Sequence, residues 1–360
     1  MKLVMAGGGT GGHLFPALAL AEEFKRRESD VEILFVGGKG GLEETVVPKY
    51  GYRLMLLNVS GVKRTRGLKR LMALYRAFRA TLKAIGILRS EQPDGVIGSG
   101  SYSSAPVVFA ARLLGIKTAI LEQNALPGLT NRVSGKVVNR IYIAFEAARE
   151  YFPPLRTVVT GNPIRRDILE RLEKKRARTD SRFTILVFGG SQGATAINTA
   201  FVDAAEFLTD LWGGFRVIHQ TGEHGYEQVK EAYRRKKLKV EVHSFIEDMA
   251  SAYGAADLVI CRAGATSIAE ITAFGLASIL VPYPFASDNH QEVNGRCLEE
   301  AGAAEMIIQN KLTGRVIADA VRSFCSDTEK LTEVRARARE YGRPDAAKRI
   351  AEDFVSLFDS

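Results

Sequence analysis

The sequence predicts two doubly wound α/β domains, each a parallel sheet with crossover helices. Three observations carry that prediction. Short apolar runs alternate with longer helix-like runs along the chain, the pattern of βαβ units. The alternation breaks at Gly161-Asn162-Pro163, passes through the charged segment Arg165 to Arg182, and restarts at Phe183-Thr184-Ile185-Leu186-Val187-Phe188. The restart also repeats the opening device of the chain, a strand leading at once into a glycine-rich loop and a helix. A length of 360 residues exceeds one ordinary core and fits two. The expected domains are residues 1–162 with 343–360, and residues 163–342. The return is carried by Pro344 to Phe358, whose Ala347, Ile350, Ala351, Phe354 and Val355 share one helical face. Such Rossmann-like domains present the loops at the carboxyl ends of their strands, here toward an expected interdomain cleft.

The first strand, Leu3 to Ala6, runs into Gly7-Gly8-Gly9-Thr10-Gly11-Gly12-His13. The helix expected after it spans Leu14 to Phe24, with Pro16 tolerated in the first turn. Five glycines at a strand-to-helix junction let the backbone approach a ligand, and the N–H groups of a helix start favour an anion. Gly7, Gly9 and Gly12 also satisfy G-x-G-x-x-G, but a dinucleotide site wants an acidic residue ending the second strand. That strand, Val31 to Val36, ends in Gly37-Gly38-Lys39-Gly40-Gly41, so the acidic residue is missing there. His13 instead puts an imidazole at the mouth of the loop. The remaining strands of this half are expected at Leu54–Val59, Gly95–Ile97, Thr118–Leu121, Ile141–Ala144 and Thr157–Thr160. In the second half, Phe183–Phe188 leads into Gly189-Gly190-Ser191-Gln192-Gly193-Ala194 and a helix through Ile197, Ala200, Phe201 and Ala204.

Composition narrows the class. Cys261, Cys297 and Cys325 are widely spaced and odd in number, against a disulfide framework and a zinc cluster, and they fit a reducing cytoplasm. There is no leading signal segment and no apolar stretch of spanning length, so a soluble or peripheral protein is expected. The net charge of +9 is concentrated: Gly61 to Ser90 holds nine Lys or Arg residues and no Asp or Glu. Interleaved Leu68, Leu71, Met72, Tyr75, Phe78, Leu82 and Ile85 form one apolar helical face flanked by cations. Two readings stand side by side, a helix packed on a sheet with a solvated basic face, or a helix docking on an anionic membrane surface. Nucleic acid is not expected as a partner, because no aromatic-rich basic groove or reading motif accompanies the charge.

The ordered series of Gly7 to His13, Glu122-Gln123-Asn124 with Gly128-Leu129-Thr130-Asn131, Gly161-Asn162-Pro163-Ile164-Arg165, Gly189 to Ala194, Arg262-Ala263-Gly264-Ala265-Thr266 with Glu270, and Asp288 to Asn294 closely resembles the MurG family of bacterial peptidoglycan glycosyltransferases. The resemblance covers nearly the whole chain. It implies a GT-B fold, UDP-N-acetylglucosamine as donor and lipid I, the undecaprenyl-diphosphate-linked N-acetylmuramyl-pentapeptide, as acceptor. It also implies lipid II as product and peripheral attachment to the cytoplasmic membrane face.

For the donor, Gly189 to Gly193 offers backbone N–H groups suited to a diphosphate, with Ser191, Gln192 and Gly193 as its contacts, and a second such loop opens at Gly264-Ala265-Thr266. Glu270 lies one helical turn, about 5.4 Å, beyond Thr266 and so near a ribose whose phosphate sits at the helix start. The resemblance implies that its carboxylate accepts from two ribose hydroxyls; the duller reading is a surface glutamate. The resemblance further implies backbone atoms of Ile246 on uracil, Arg165 on the nucleotide, His290 and Gln291 on the donor sugar, and Asn124 on that sugar from the other domain. On the acceptor side, Thr10, Gly11 and Gly12 with Ser101-Tyr102-Ser103 are candidates to bracket the lipid diphosphate. Ser101 departs from the family pattern, where glycine is more usual. The expected reaction is direct displacement at the anomeric carbon, turning an α-linked donor into a β-1,4 glycoside. No Asp-x-Asp occurs, so no tightly bound metal or other cofactor is expected, and helix starts with Arg165 would stabilise the leaving UDP. His13 is the candidate general base, since its unperturbed pKa lies near neutrality; binding the acceptor diphosphate or capping the helix are its competing roles. His219, His224 and His243 have no motif behind them.

Overall fold

The computed structural model describes residues 1–59, 68–173 and 181–359. Lys63, Arg64 and Arg66 of the basic segment lie outside the described residues, as do the side chains of Leu68, Lys69, Arg70 and Leu71. The chain divides into two compact units, Met1–Arg166 with Pro344–Ser360, and Asp167–Arg343.

The first unit is built on seven strands, β1 (Lys2–Ala6), β2 (Glu32–Gly38), β3 (Arg53–Leu57), β4 (Gly95–Gly98), β5 (Lys117–Glu122), β6 (Arg140–Ile143) and β7 (Thr157–Val159). Their order is β3-β2-β1-β4-β5-β6-β7, every pair parallel, with Leu3 opposite Ile33 on one side and Gly95 on the other. A parallel sheet covered on both faces needs apolar residues at successive positions, which is why the strands read as unbroken apolar runs. Leu3 and Met5 pack with Leu14, Leu18 and Phe24 of the Gly11–Arg27 helix and with Ile350 and Phe354 of the Ala346–Ser356 helix. Val4 and Ala6 face the other way, against Ala84, Leu88, Val107 and Val108. The chain's return is fixed by Phe354, edge-on to Phe24 at 6.3 Å, and a Cβ on Gly95 would stand 2.7 Å from the Phe354 ring.

The unit boundary falls four residues later than expected, so residues 163–166 belong to the first unit, and two features within that unit also differ from expectation. The first helix begins at Gly11, three residues early, so Pro16 sits in its second turn and leaves the Gly12 carbonyl without its usual donor. The long Leu68–Glu91 helix packs through Ala80, Ala84 and Leu88, whereas Met72, Tyr75, Phe78 and Leu82 face solvent, Tyr75 and Phe78 each 61% exposed. Of the described side chains on the expected apolar face, Ile85 packs against the core and the other four are turned to solvent.

The second unit has six strands, β8 (Phe183–Phe188), β9 (Phe215–Gln220), β10 (Glu241–His243), β11 (Leu258–Cys261), β12 (Ala277–Leu280) and β13 (Glu305–Met306). Their order is β10-β9-β8-β11-β12-β13, again all parallel. Ile185 and Val187 lie in a core with Ile197, Phe201, Val321 and Phe324. Among the described residues no helix is long and apolar enough to cross a membrane.

Candidate functional site

In the first unit the loop after β1 is shaped from within. Gly7 and Gly8 have φ of +139° and +144°, open to glycine alone, and Cβ atoms there would strike the Ser99 hydroxyl and the Glu43 carboxylate. Glu43 is buried; its Oε2 accepts from Gly9 N at 2.6 Å and its Oε1 from Gly38 N at 2.8 Å. No acid ends the second strand, but Glu43 stands two residues past Gly41. It pins the loop instead of a ribose. The Gly9 N–H is thus taken by the protein's own carboxylate, and the anion-binding expectation narrows to the helix start. Thr10 occupies the N-cap position, and Gly11 and Gly12 follow in the first turn, where helical geometry gives N–H groups no acceptor. His13 is the third helical residue; its N–H donates to Thr10 O, and its half-buried ring is turned to Gln123, with Nδ1 3.0 Å from Oε1. That geometry overturns the capping role.

At the end of β5, Glu122 is buried. Its Oε1 accepts from Asn124 N at 2.9 Å, and its Oε2 from Asn131 Nδ2 at 2.9 Å and Gly128 N at 3.3 Å. Burial pushes its carboxyl up to about 7, with those donors pulling the other way. Glu122 therefore holds the segment carrying Asn124. Tyr102 is 51% exposed beside Ser101, whose φ of +73° is a backbone conformation that glycine adopts without strain. Ser101 Oγ lies 3.0 Å from Ser103 Oγ. Arg165 belongs to this unit and its guanidinium stands over the Phe15 ring at 5.6 Å.

In the second unit, Gly189–Gly193 connects β8 to the Thr195–Ala204 helix, with Ser191 and Gln192 exposed. Gly193 has φ +75° and lies so close to the Thr221 carbonyl that a side chain there would collide. Gln220, buried at the end of β9, donates through Nε2 to Gly190 O at 3.0 Å and accepts at Oε1 from Ile246 N at 2.8 Å. One amide thus joins the loop expected on the diphosphate to the segment expected on uracil. The Ile246 N–H is engaged by Gln220, and the base-reading expectation narrows to the Ile246 carbonyl.

Gly264 is the N-cap of the Ala265–Phe274 helix. Thr266 Oγ1 is buried and has no hydrogen-bond partner among the described residues, while Glu270 is 5% exposed and its Oε2 accepts from Tyr253 Oη at 3.0 Å. The surface-glutamate reading fails on that burial. Gln291 Oε1 accepts from Tyr283 N at 2.9 Å, and His290 Nδ1 lies 2.7 Å from Ser287 O, both at the start of the His290–Glu300 helix. His219 lies between Tyr233 Oη and Asn198 Oδ1, and burial lowers its pKa to about 3, so it is a neutral core histidine. The roles of Glu43, Glu122, Gln123, Gln220 and Tyr253 are not legible in the sequence, where the only signals are an acid close behind the second strand and amides at strand ends.

Comparison with known proteins follows this division. The glycosyltransferase family 28 N-terminal domain matches residues 3–143 and the family 28 C-terminal domain residues 184–350. The UDP-N-acetylglucosamine–N-acetylmuramyl-(pentapeptide) pyrophosphoryl-undecaprenol N-acetylglucosamine transferase of Myxococcus xanthus is 48% identical over 357 residues, covering 99% of this chain and 93% of that protein. The protein of the same name from Syntrophus aciditrophicus is 47% identical, covering 99% of each. The crystal structure of Acinetobacter baumannii MurG aligns with TM-score 0.81 and 30% identity over 99% of both chains. A UDP-GlcNAc 2-epimerase from Neisseria meningitidis aligns at TM-score 0.70 with 14% identity, over 99% of this chain and 100% of that one, a likeness of fold alone.

Proposed function

The chain belongs to glycosyltransferase family 28, and from that premise we propose that it moves N-acetylglucosamine from UDP-N-acetylglucosamine to the C4 hydroxyl of the muramyl sugar of lipid I, forming lipid II for peptidoglycan. It is a GT-B hexosyltransferase. In this reading the second unit takes the donor and the first the acceptor. The observation that carries the donor assignment is the start of the Ala265–Phe274 helix, where a buried, unpartnered Thr266 hydroxyl stands one turn before the buried, tethered Glu270. A phosphate at the N-terminus then leaves the ribose beside the carboxylate.

The acceptor oxygen attacks the anomeric carbon from the face opposite the UDP, so configuration inverts. His13 takes the hydroxyl proton, and the leaving diphosphate is stabilised by the helix starts after Gly193 and Gly264, by Ser191, Thr266 and Arg165, without a tightly held metal. Asn124 and Gln291 bond the donor sugar; Gln291 keeps its amide N–H groups for that purpose, its oxygen being held by Tyr283. Gly11, Gly12 and Tyr102 meet the acceptor diphosphate.

UDP release tests the reaction. With UDP-N-acetylglucosamine alone the purified chain releases no UDP and leaves the sugar unaltered, and adding lipid I or a lipid-linked analogue starts release. Conversion of the donor without acceptor would instead support an epimerase, and absence of release with every acceptor would overturn transfer.

The same reading places the enzyme peripherally on the cytoplasmic membrane face. It is supported by exposed Met72, Tyr75, Phe78 and Leu82 beside exposed Arg76, Arg79 and Lys83, an apolar stripe with cations suited to an anionic lipid surface. Sedimentation with vesicles containing anionic lipid should fall at least about tenfold on Arg76→Glu with Arg79→Glu. Unchanged binding in that variant and in Phe78→Ser would reduce the stripe to a solvated face.

A further inference from the structure

The His13 ring is held on two sides by atoms that leave its protons little choice. Gly100, with φ +94°, lies against it so closely that a Cβ would come within 2.8 Å of Nδ1 and 2.9 Å of Cε1. Gln123, 2% exposed, approaches the same nitrogen through Oε1 at 3.0 Å, and its Nε2 reaches the Ser99 carbonyl oxygen at 3.0 Å. A carbonyl oxygen only accepts, so the amide group facing Ser99 O must be the NH2. The amide oxygen therefore faces His13, and it too only accepts. Nδ1 must carry the proton, and in the neutral ring the lone pair belongs to Nε2. The Ser99 backbone carbonyl alone decides which end of the Gln123 amide is the nitrogen.

We propose that Gln123 is a positioning residue that fixes His13 as the Nδ1–H tautomer and thereby presents Nε2 as the proton acceptor. The proposal rests on the reading of His13 as general base. In the step it serves, the C4 oxygen of the acceptor bonds to the anomeric carbon and its proton passes to Nε2. The bond from that carbon to the UDP oxygen breaks, with the electron pair leaving on UDP. The imidazolium so formed keeps Nδ1–H on the Gln123 oxygen, a bond that strengthens as charge develops on the donor. The ring therefore need not turn during transfer.

The test pairs a spectrum with kinetics on the full chain. Long-range 1H–15N correlation on 15N-histidine-labelled protein, recorded where the ring is neutral, gives the tautomer; His13→Gln identifies the His13 signals among the five histidines. The expected wild-type signature is a protonated Nδ1 and an unprotonated Nε2. In Gln123→Leu that signature is lost or averaged, and kcat falls by about 100-fold. The KM for UDP-N-acetylglucosamine in that variant changes by less than about threefold. Gln123→Glu keeps an acceptor for Nδ1–H but gives up the donor to Ser99 O, so it retains the signature in part and recovers part of kcat. A wild-type ring protonated on Nε2 overturns the proposal, and so does a Gln123→Leu protein with wild-type signature and kcat. Loss of the signature at unchanged kcat overturns the link to proton transfer. His13→Gln turning over at the wild-type rate sinks the base reading separately, and the wild-type spectrum then still decides the tautomer.

Discussion

Replacing His13 with glutamine is expected to lower kcat by about 100- to 10,000-fold, the span over which a positioned base accelerates proton transfer. Glutamine keeps a polar side chain in the first turn of the Gly11–Arg27 helix but brings no group that takes a proton at neutral pH. Its amide can still donate toward Gln123, so the loop pinned by Glu43 should stand, and the KM for UDP-N-acetylglucosamine should change little. The measurement is UDP release at saturating donor with acceptor varied. A variant with intact kcat and a raised acceptor KM would make His13 a diphosphate ligand, the one competing role its geometry leaves. Gly100→Ala acts on the ring directly: a methyl 2.8 Å from Nδ1 at a positive φ must displace the imidazole, and the same loss of kcat should follow.

Much of this architecture is legible in the chain because parallel strands covered on both faces must be apolar throughout, and such runs stand out. Phe183–Phe188, the restart after Gly161-Asn162-Pro163 and the return of the carboxyl-terminal helix through Ile350 and Phe354 all follow from that constraint. What stays hidden depends on partners distant in sequence. Glu43 acts on Gly9 from 34 residues away, and nothing local marks a glutamate at a turn as buried. Gln123 just after β5 and Gln220 at the end of β9 both tie one backbone carbonyl to a second group, roles that exist only once neighbouring loops are in place. The start of the first helix is not legible because Gly11 and Gly12 are poor helix formers, yet they form its first turn after Thr10. For the Leu68–Glu91 helix the period is readable but the packed side is not: small Ala80 and Ala84 face the packed side with Leu88, and Met72, Tyr75, Phe78 and Leu82 are left outside. The glycines after β1 carry a related lesson. Two of them make room for the protein's own Glu43 and Ser99 rather than for a ligand.

Glu270→Ala is expected to lower kcat/KM for UDP-N-acetylglucosamine by about 100- to 1,000-fold, the effect of losing two hydrogen bonds to a charged acceptor. The burial of Glu270 makes the experiment sharper than it would be at the surface. A carboxylate 5% exposed loses conformational freedom on folding rather than on binding, and Tyr253 Oη holds its Oε2 at 3.0 Å, so the group is already aimed when the ribose arrives. Tyr253→Phe removes that tether and leaves the charge, so it should cost about tenfold, mostly in KM. Glu270→Gln, which keeps one accepting oxygen, should fall between the two. Truncating a buried side chain also removes the oxygen that accepts from Tyr253 Oη, so thermal unfolding of each variant is measured alongside to separate lost binding from lost fold. If Glu270→Ala turns over normally, the ribose is held elsewhere. If instead Tyr253→Phe costs as much as Glu270→Ala, the hydroxyl does more than orient, and the pair acts as one unit on the nucleotide.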